Sequence, residues 1–317
     1  MRSALPKRVL AAVPTLLGVI VVVFLAVHFI PGDPVTAALG DRATAEQVAR
    51  TRSELGLDQP LLTQFFQYLG RLLHGDLGVS ISSRQPVMDQ ILARLPATAT
   101  LALAGVVVSV LIGVPLGILG ATRRGGVTDF VTLIFSTVGV AAPSFWIALL
   151  LSGVFAVNLG WLPTIGGGDP GDVGSIIRAL ILPAAALGLS GMAMVARMTR
   201  SSMLDVLGED YVRTARAKGA PERRVVYRHA LRNAAIPIIT VVGLNFGHLL
   251  GGTIVMETVF ARPGIGKLLL DAILGRDYPV VQGVTLVIAV VFILVNLLTD
   301  LTYSAFDPRL KGREAVH

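Results

Sequence analysis

The stretch DYVRTARAKGAPERRVVYRHALRNAAIP, residues 210–237, interrupts a chain that is otherwise too apolar to be soluble. From Arg197 to Arg232, nine Arg and Lys fall between two long apolar runs. A basic, helix-forming segment between two bilayer-length runs has to lie on one side of a membrane. The fold therefore turns on the apolar runs that flank it and on the side of the membrane it faces.

The 317 residues are 53% hydrophobic and 15% charged, with mean hydropathy +0.73. Soluble domains carry about 25% charged residues. The net charge of +7 sits in connections between apolar runs, so it does not point to nucleic acid. With no cysteine, disulfides, thiol chemistry and Cys-ligated metals are excluded. Six spans are expected, at about 9–30, 97–121, 130–157, 177–196, 234–260 and 279–303. Val9–Ile30 follows a basic head and reads as a retained first span. It is long for a signal peptide, lacks a small-x-small cleavage site, and at ~1.5 Å per residue reaches roughly 33 Å.

Positive charge sets the orientation. With the N-terminus inside, the head, the connection near Arg123, the 197–232 loop and the tail hold 17 of the 27 Lys and Arg. Both termini are thus expected in the cytoplasm, together with the basic loop. The segment 31–95 then lies outside and is too long for a connector. Thr44 can cap a helix that Gly56 closes. Pro60 can open a second, with Leu61, Phe65, Phe66, Leu69 and Leu72 on one apolar face. This cap either braces the spans or receives a soluble partner.

Within the basic loop, acidic residues precede basic ones along a helix of about 209–218, as the helix dipole favours. Gly219 suits a left-handed stop, and Pro221 suits the first turn of a second helix running to about 232. Tyr211, Val212 and Ala215 make a small apolar strip that could lie in a groove on another protein. The competing reading is a basic helix lying on anionic lipid. Small residues at Ala215, Ala217 and Gly219, then a hard stop, favour close approach to a partner.

YVRTARAKGA followed by HALRNAAIP resembles the cytoplasmic loop of ATP-binding-cassette (ABC) importer permeases, closest to the B-type subunit of the dipeptide, oligopeptide and nickel branch. PGDP (31–34), LGLDQP (55–60), GDLGVS (75–80), ETVFARPGIGKLLLDAI (257–273), RDYPVVQG (276–283) and DLTYSAFDPRL (300–310) follow in the order of that subfamily. The wider superfamily opens this loop with Glu-Ala-Ala; here Arg213 and Thr214 hold the first two places, and a later Pro is replaced near Arg232. The resemblance implies that the loop is a coupling helix seated in a cleft of an ATPase. Asp210, Tyr211, Arg213, Thr214, Ala215, Arg216, Lys218 and Gly219 would make the contact. It also implies a second, C-type permease subunit, two cytoplasmic ATP-binding subunits and an extracytoplasmic substrate-binding protein. Peptides would be the cargo, with nickel or haem as alternatives.

The chain offers no nucleotide site of its own. ARPGIGKLLL (261–270) has Ala261 and Leu268 where a P-loop needs Gly and Ser or Thr. ATP would be bound by the partners, and no cofactor or metal is expected here. Two rivals remain: a proton-coupled secondary transporter, and a membrane-anchored scaffold. Proton coupling needs intramembrane ionisable groups, and His28, His248, Glu257 and Asp300 are the candidates. All but His248 are expected near span ends, within reach of water. His248 lies near mid-span beside Asn245. Either it is a neutral ring bonded between helices, or Asn245, His248 and Glu257 line a passage or gate.

The expectation is an all-α integral membrane protein of the plasma (inner) membrane, with six transmembrane helices. It divides into a tail and first helix (1–30), an extracytoplasmic helical cap (31–95) and a five-helix permease core (96–317) carrying the loop 197–232.

Overall fold

The computed structural model describes residues 4–29, 35–36, 44–54, 56–123, 125–127, 130, 132, 134, 139 and 141–306. The PGDP segment, most of the first half of the third expected span and the tail 307–317 lie outside these, as does the Asp300 side chain. The described residues are overwhelmingly helical: α1 (Ala4–Phe29), α2 (Ala45–Glu54), α3 (Leu61–Leu73), α4 (Val87–Thr122), α5 (Ser144–Leu151), α6 (Val173–Leu207), α7 (Asp210–Ala217), α8 (Leu231–Val259), α9 (Ile265–Leu274) and α10 (Tyr278–Phe306). A π-helical stretch, Ser152–Asn158, extends α5. A short turn, Glu222–Arg224, and a second π-helical stretch, Val225–Ala230, lead without a break into α8.

Five of these helices are long and apolar enough to cross a bilayer: Ala12–Phe29, Val87–Thr122, Val173–Leu207, Glu222–Val259 and Tyr278–Thr299. The apolar Ser144–Asn158 falls in the second half of the third expected span. The expected second helix of the basic loop runs as Glu222–Arg224 and Val225–Ala230 straight into α8. Pro237 lies inside α8 without ending it.

The chain divides into two compact units, one of Met1–Ala97 with Pro263–Ile293, the other of Thr98–Arg262 with Leu294–His317. In the first unit, Thr44 and Gln47 form a reciprocal capping box. Gln47 N–H donates to Thr44 Oγ1 (3.2 Å) and Thr44 N–H to Gln47 Oε1 (3.0 Å). Gly56 then turns the chain at φ +67°. Helix α3 lays Phe65, Tyr68 and Leu72 on Ile20 and Phe24 of α1. The expected apolar face is corrected here: Leu61 and Phe66 are exposed, and Tyr68 takes their place in the contact. A one-residue error in the phase of a helix turns its face by 100°.

Two segments that carried the family resemblance meet in this unit. The buried Asp277 carboxylate accepts from Ser80 Oγ (2.5 Å), Ser82 Oγ (2.7 Å), Ile81 N–H (3.1 Å) and Ser82 N–H (3.2 Å). Four donors on one charged acceptor make a strong brace. Asp277→Ala is expected to speed amide exchange at Ile81 and Ser82 by about 100-fold, corresponding to roughly 3 kcal/mol. Unchanged exchange would show that the loop holds without the carboxylate.

In the second unit α6 is central: 67% of its most apolar window is buried, against 22% for the window in α1. Its first turn is capped by Asp172, whose Oδ1 accepts Gly174 N–H (2.8 Å). Helix α4 approaches it along small residues. A Cβ on Gly117 would stand 2.5 Å from Thr199 Cβ and 2.6 Å from Ala196 O. Gly113 packs in the same way, with a Cβ there 2.9 Å from Met192 O. In lipid, where apolar surface supplies no association force between helices, such close approach supplies it.

Candidate functional site

Helix α7 is held by its inner face. Val212 is fully buried, and the Tyr211 hydroxyl accepts from Asn233 Nδ2 (2.6 Å) on α8. Asn233 Nδ2 also donates to His229 O (3.2 Å), so one amide ties the helix to the turns that follow it. This corrects the expected apolar strip. Val212 faces the protein's own interior, Tyr211 is engaged by its own chain, and Ala215 is half-buried.

The helix ends as the sequence indicates. Gly219 adopts φ +77°, and Ala220 N–H closes on Ala215 O (3.2 Å). Across the turn Arg216 clamps Glu222 in a bidentate pair, Nη2 to Oε1 at 2.7 Å and Nε to Oε2 at 3.1 Å. Arg216 thus shapes the turn. The groups left projecting are Asp210, Arg213, Thr214, Lys218 and the Gly219 backbone, all exposed. Among the described residues Arg213 reaches only Asp210, at 3.5 Å, with side chains 72% and 97% exposed. A pair so exposed adds little to stability. Both groups are therefore open to a partner.

Of the three proposed path residues, the structure brings two together. Asn245 and His248 line a cavity of about 300 Å³ with Ser144, Ser190, Met194 and Leu249. Asn245 is buried and donates from Nδ2 to Gly191 O (3.4 Å); His248 is exposed. Asn245 sits where a Cβ on Gly191 would be, 2.6 Å from its Nδ2, so the glycine makes room for the amide.

Glu257 is elsewhere. Twelve residues from Asn245 along α8, it is about 18 Å farther up the helix. It is not reachable by water as expected but wholly buried, accepting from Thr98 Oγ1 (2.5 Å). Arg262, also buried, donates its backbone N–H to Glu257 O (2.8 Å) and Nη2 to Thr100 Oγ1 (3.5 Å). Burial holds the Arg262 guanidinium below its ordinary pKa, and the nearby Glu257 charge opposes that shift. This cluster joins the start of the second unit to the end of α8 and takes no part in the cavity. Lys267 of the P-loop-like fragment is spent on Asp271, at 3.0 Å from both carboxylate oxygens.

Sequence reasoning missed Asn233, Glu222, Thr98 and Arg262. Asn233 lies within a quoted motif, yet nothing local connects it to Tyr211, 22 residues earlier. Thr98 and Glu257 stand 159 residues apart.

Two family profiles match the chain. The one described as binding-protein-dependent transport system inner membrane component covers residues 113–312. Its N-terminal companion covers residues 1–102. The chain is 42% identical over 326 residues to the dipeptide transport system permease protein DppB of Alkalihalophilus pseudofirmus, covering 96% of this chain and 98% of that one. It is 46% identical over 305 residues to the glutathione transport system permease protein GsiC of Salmonella choleraesuis, covering 96% and 97%. Among solved structures it resembles the inward-facing MetNI methionine ABC transporter, with TM-score 0.58, 18% identity, and coverage of 69% of this chain and 97% of that one. At that identity the likeness speaks to the fold.

Proposed function

Because the chain belongs to the family of binding-protein-dependent transport system inner membrane components, we propose that it is the B-type permease subunit of an ABC importer for short peptides. It is a multi-pass inner membrane protein and a transport subunit of a larger assembly. The full complement would be a C-type permease, two cytoplasmic ATP-binding subunits and an extracytoplasmic substrate-binding protein. On this reading the chain would have six spans, Ser144–Asn158 belonging to the third, with both termini cytoplasmic, α7 beside the ATPases and residues 31–95 outside.

The observation that carries this reading is the construction of α7. Its inner face is anchored by Val212 and by Tyr211–Asn233, while its outer face presents Asp210, Arg213, Thr214, Lys218 and the Gly219 stop. A short helix fixed to the turns that lead into a membrane span transmits push and pull to that span. ATP binding on the partners would favour one access state, and hydrolysis would release it. The Asn245–His248 cavity then belongs to the path. Its amide, imidazole and hydroxyl groups exchange hydrogen bonds with a peptide backbone, and Leu187, Met194 and Leu249 offer apolar wall to its side chains. The relatives' names, dipeptide and glutathione, favour peptides over nickel or haem.

The test is uptake of a labelled dipeptide by liposomes holding the complex purified through this chain. Uptake is expected to need ATP and to continue when the proton gradient is collapsed. ATP-independent uptake that stops with the gradient would establish the secondary-transporter reading. A purified complex with no ATP-binding subunit would do the same damage.

A further inference from the structure

A pocket in the first unit shares no lining residue with α7 or with the Asn245–His248 cavity. It lies at the end of one bilayer-length helix, Ala12–Phe29, and at the start of another, Tyr278–Thr299. Phe24, Val27 and His28 of α1 meet Gln64, Tyr68 and Arg71 of α3 there, with Tyr278 and Gln282 of α10 on the far side. Its volume is about 70 Å³. One water needs ~10–15 Å³ on this measure, so a tetrahedral oxyanion fits.

The wall is built, and one of its donors is idle. His28 is fixed between Phe24 O (Nδ1, 2.7 Å) and Gln64 Oε1 (Nε2, 3.0 Å). Gln64 Nε2 in turn donates to Gln59 O (2.8 Å). Tyr68, only 5% exposed, stacks on Phe24 at 5.9 Å, yet its hydroxyl has no hydrogen-bond partner among the described residues. A buried hydroxyl without a partner costs stability unless a ligand completes it. Arg71 stands exposed at the rim, close enough for its charge to act on the Tyr68 hydroxyl. Asp76 adjoins Arg71 in a neighbouring depression but outside this pocket, and it accepts Gly78 N–H (2.8 Å).

An idle O–H and a cation ask for an anionic acceptor. Apolar Val27, Leu57 and Ile81 beside them ask for hydrocarbon. The level of the pocket, at the ends of two spans, is where phospholipid headgroups run and where Tyr and Arg anchor a protein to them. We propose that this pocket binds the phosphate of a membrane phospholipid, which accepts from the Tyr68 hydroxyl and Arg71 while the glycerol end of the acyl chains rests on Val27, Leu57 and Ile81. The bound lipid would fasten the cap helix α3 to α1 at the membrane surface.

The experiment is thermal unfolding of the full-length chain in detergent, titrated separately with dihexanoyl phosphatidylglycerol, dihexanoyl glycerol and inorganic phosphate. Only the phosphatidylglycerol is expected to raise the unfolding temperature. Tyr68→Phe keeps the ring and removes one donor; Arg71→Gln removes an exposed charge. Each is expected to raise the half-saturating lipid concentration roughly tenfold. Should Tyr68→Phe fold poorly, Arg71→Gln still decides, because that side chain is outside the core. An equal response to inorganic phosphate, or to the phosphate-free glyceride, overturns the proposal. So does unaltered lipid affinity in a variant that folds. Stabilisation by an added substrate-binding protein instead of lipid would assign the pocket to a protein partner and overturn it as well.

Discussion

Replacing Arg213 and Lys218 together by Glu is expected to bring ATP-driven uptake to background while the chain remains in the membrane with its permease partner. Both side chains are exposed. Arg213 contributes only a loose pair with Asp210, so the fold should not register the change. A helix that presents cations to a partner meets a complementary acidic surface, and juxtaposing like charges costs several kcal/mol. Two reversals should weaken docking more than about 100-fold. Pull-down through the tagged chain, with immunodetection of the ATP-binding subunit, reads this directly. Arg213→Lys should retain the ATPase. If the double variant keeps both the ATPase and its uptake, α7 is not the coupling element. The alternative, a basic helix resting on anionic lipid, would show as ATPase retention with altered lipid dependence.

Glu257→Ala should be the most destabilising single change in the second unit. Removing the carboxylate takes away the acceptor of the Thr98 hydroxyl's 2.5 Å bond and the charge that favours the buried Arg262 guanidinium. Leaving a buried charge uncompensated costs about 3–5 kcal/mol. For a chain of this size that amounts to a drop of about 10 °C in unfolding temperature. Glu257→Leu with Arg262→Met removes both charges and should recover most of the loss, because the cost lies in the uncompensated ion. If the single change leaves the unfolding temperature within about 2 °C, the cluster is not a structural fastening and Glu257 returns as a candidate gate residue. His248→Ala, by contrast, touches a side chain facing a cavity and should act on uptake far more than on stability.

The placement of Asn245, His248 and Glu257 marks how far sequence reasoning reached. Their shared helix was legible, and so was the polar character of each. The roughly 18 Å between Asn245 and Glu257 along that helix followed from their spacing, but what packs opposite each depends on helix rotation and on the fold. At 100° per residue, neighbours in sequence point to different surroundings. Glu257 turned out to face Thr98 in the first third of α4, and only the fold could supply that partner. The same limit reversed Val212, whose apolar character suited an inward or outward strip equally well.

Local chemistry, on the other hand, was decided by the sequence alone. The Thr44–Gln47 cap, the stop at Gly219, the stop at Gly56 and the run of apolar helices each depend on residues within a few positions of one another. Composition placed the chain in a bilayer, because apolar residues in runs of membrane length have no other stable solvent. The order of short motifs named the family. Tertiary structure alone decided the Asp277 brace across 197 residues, the Tyr211–Asn233 tether that aims α7, and the idle hydroxyl of Tyr68. A side chain's role at those sites is set by a partner that sequence distance hides, and the energy of a buried polar group depends on whether that partner is present.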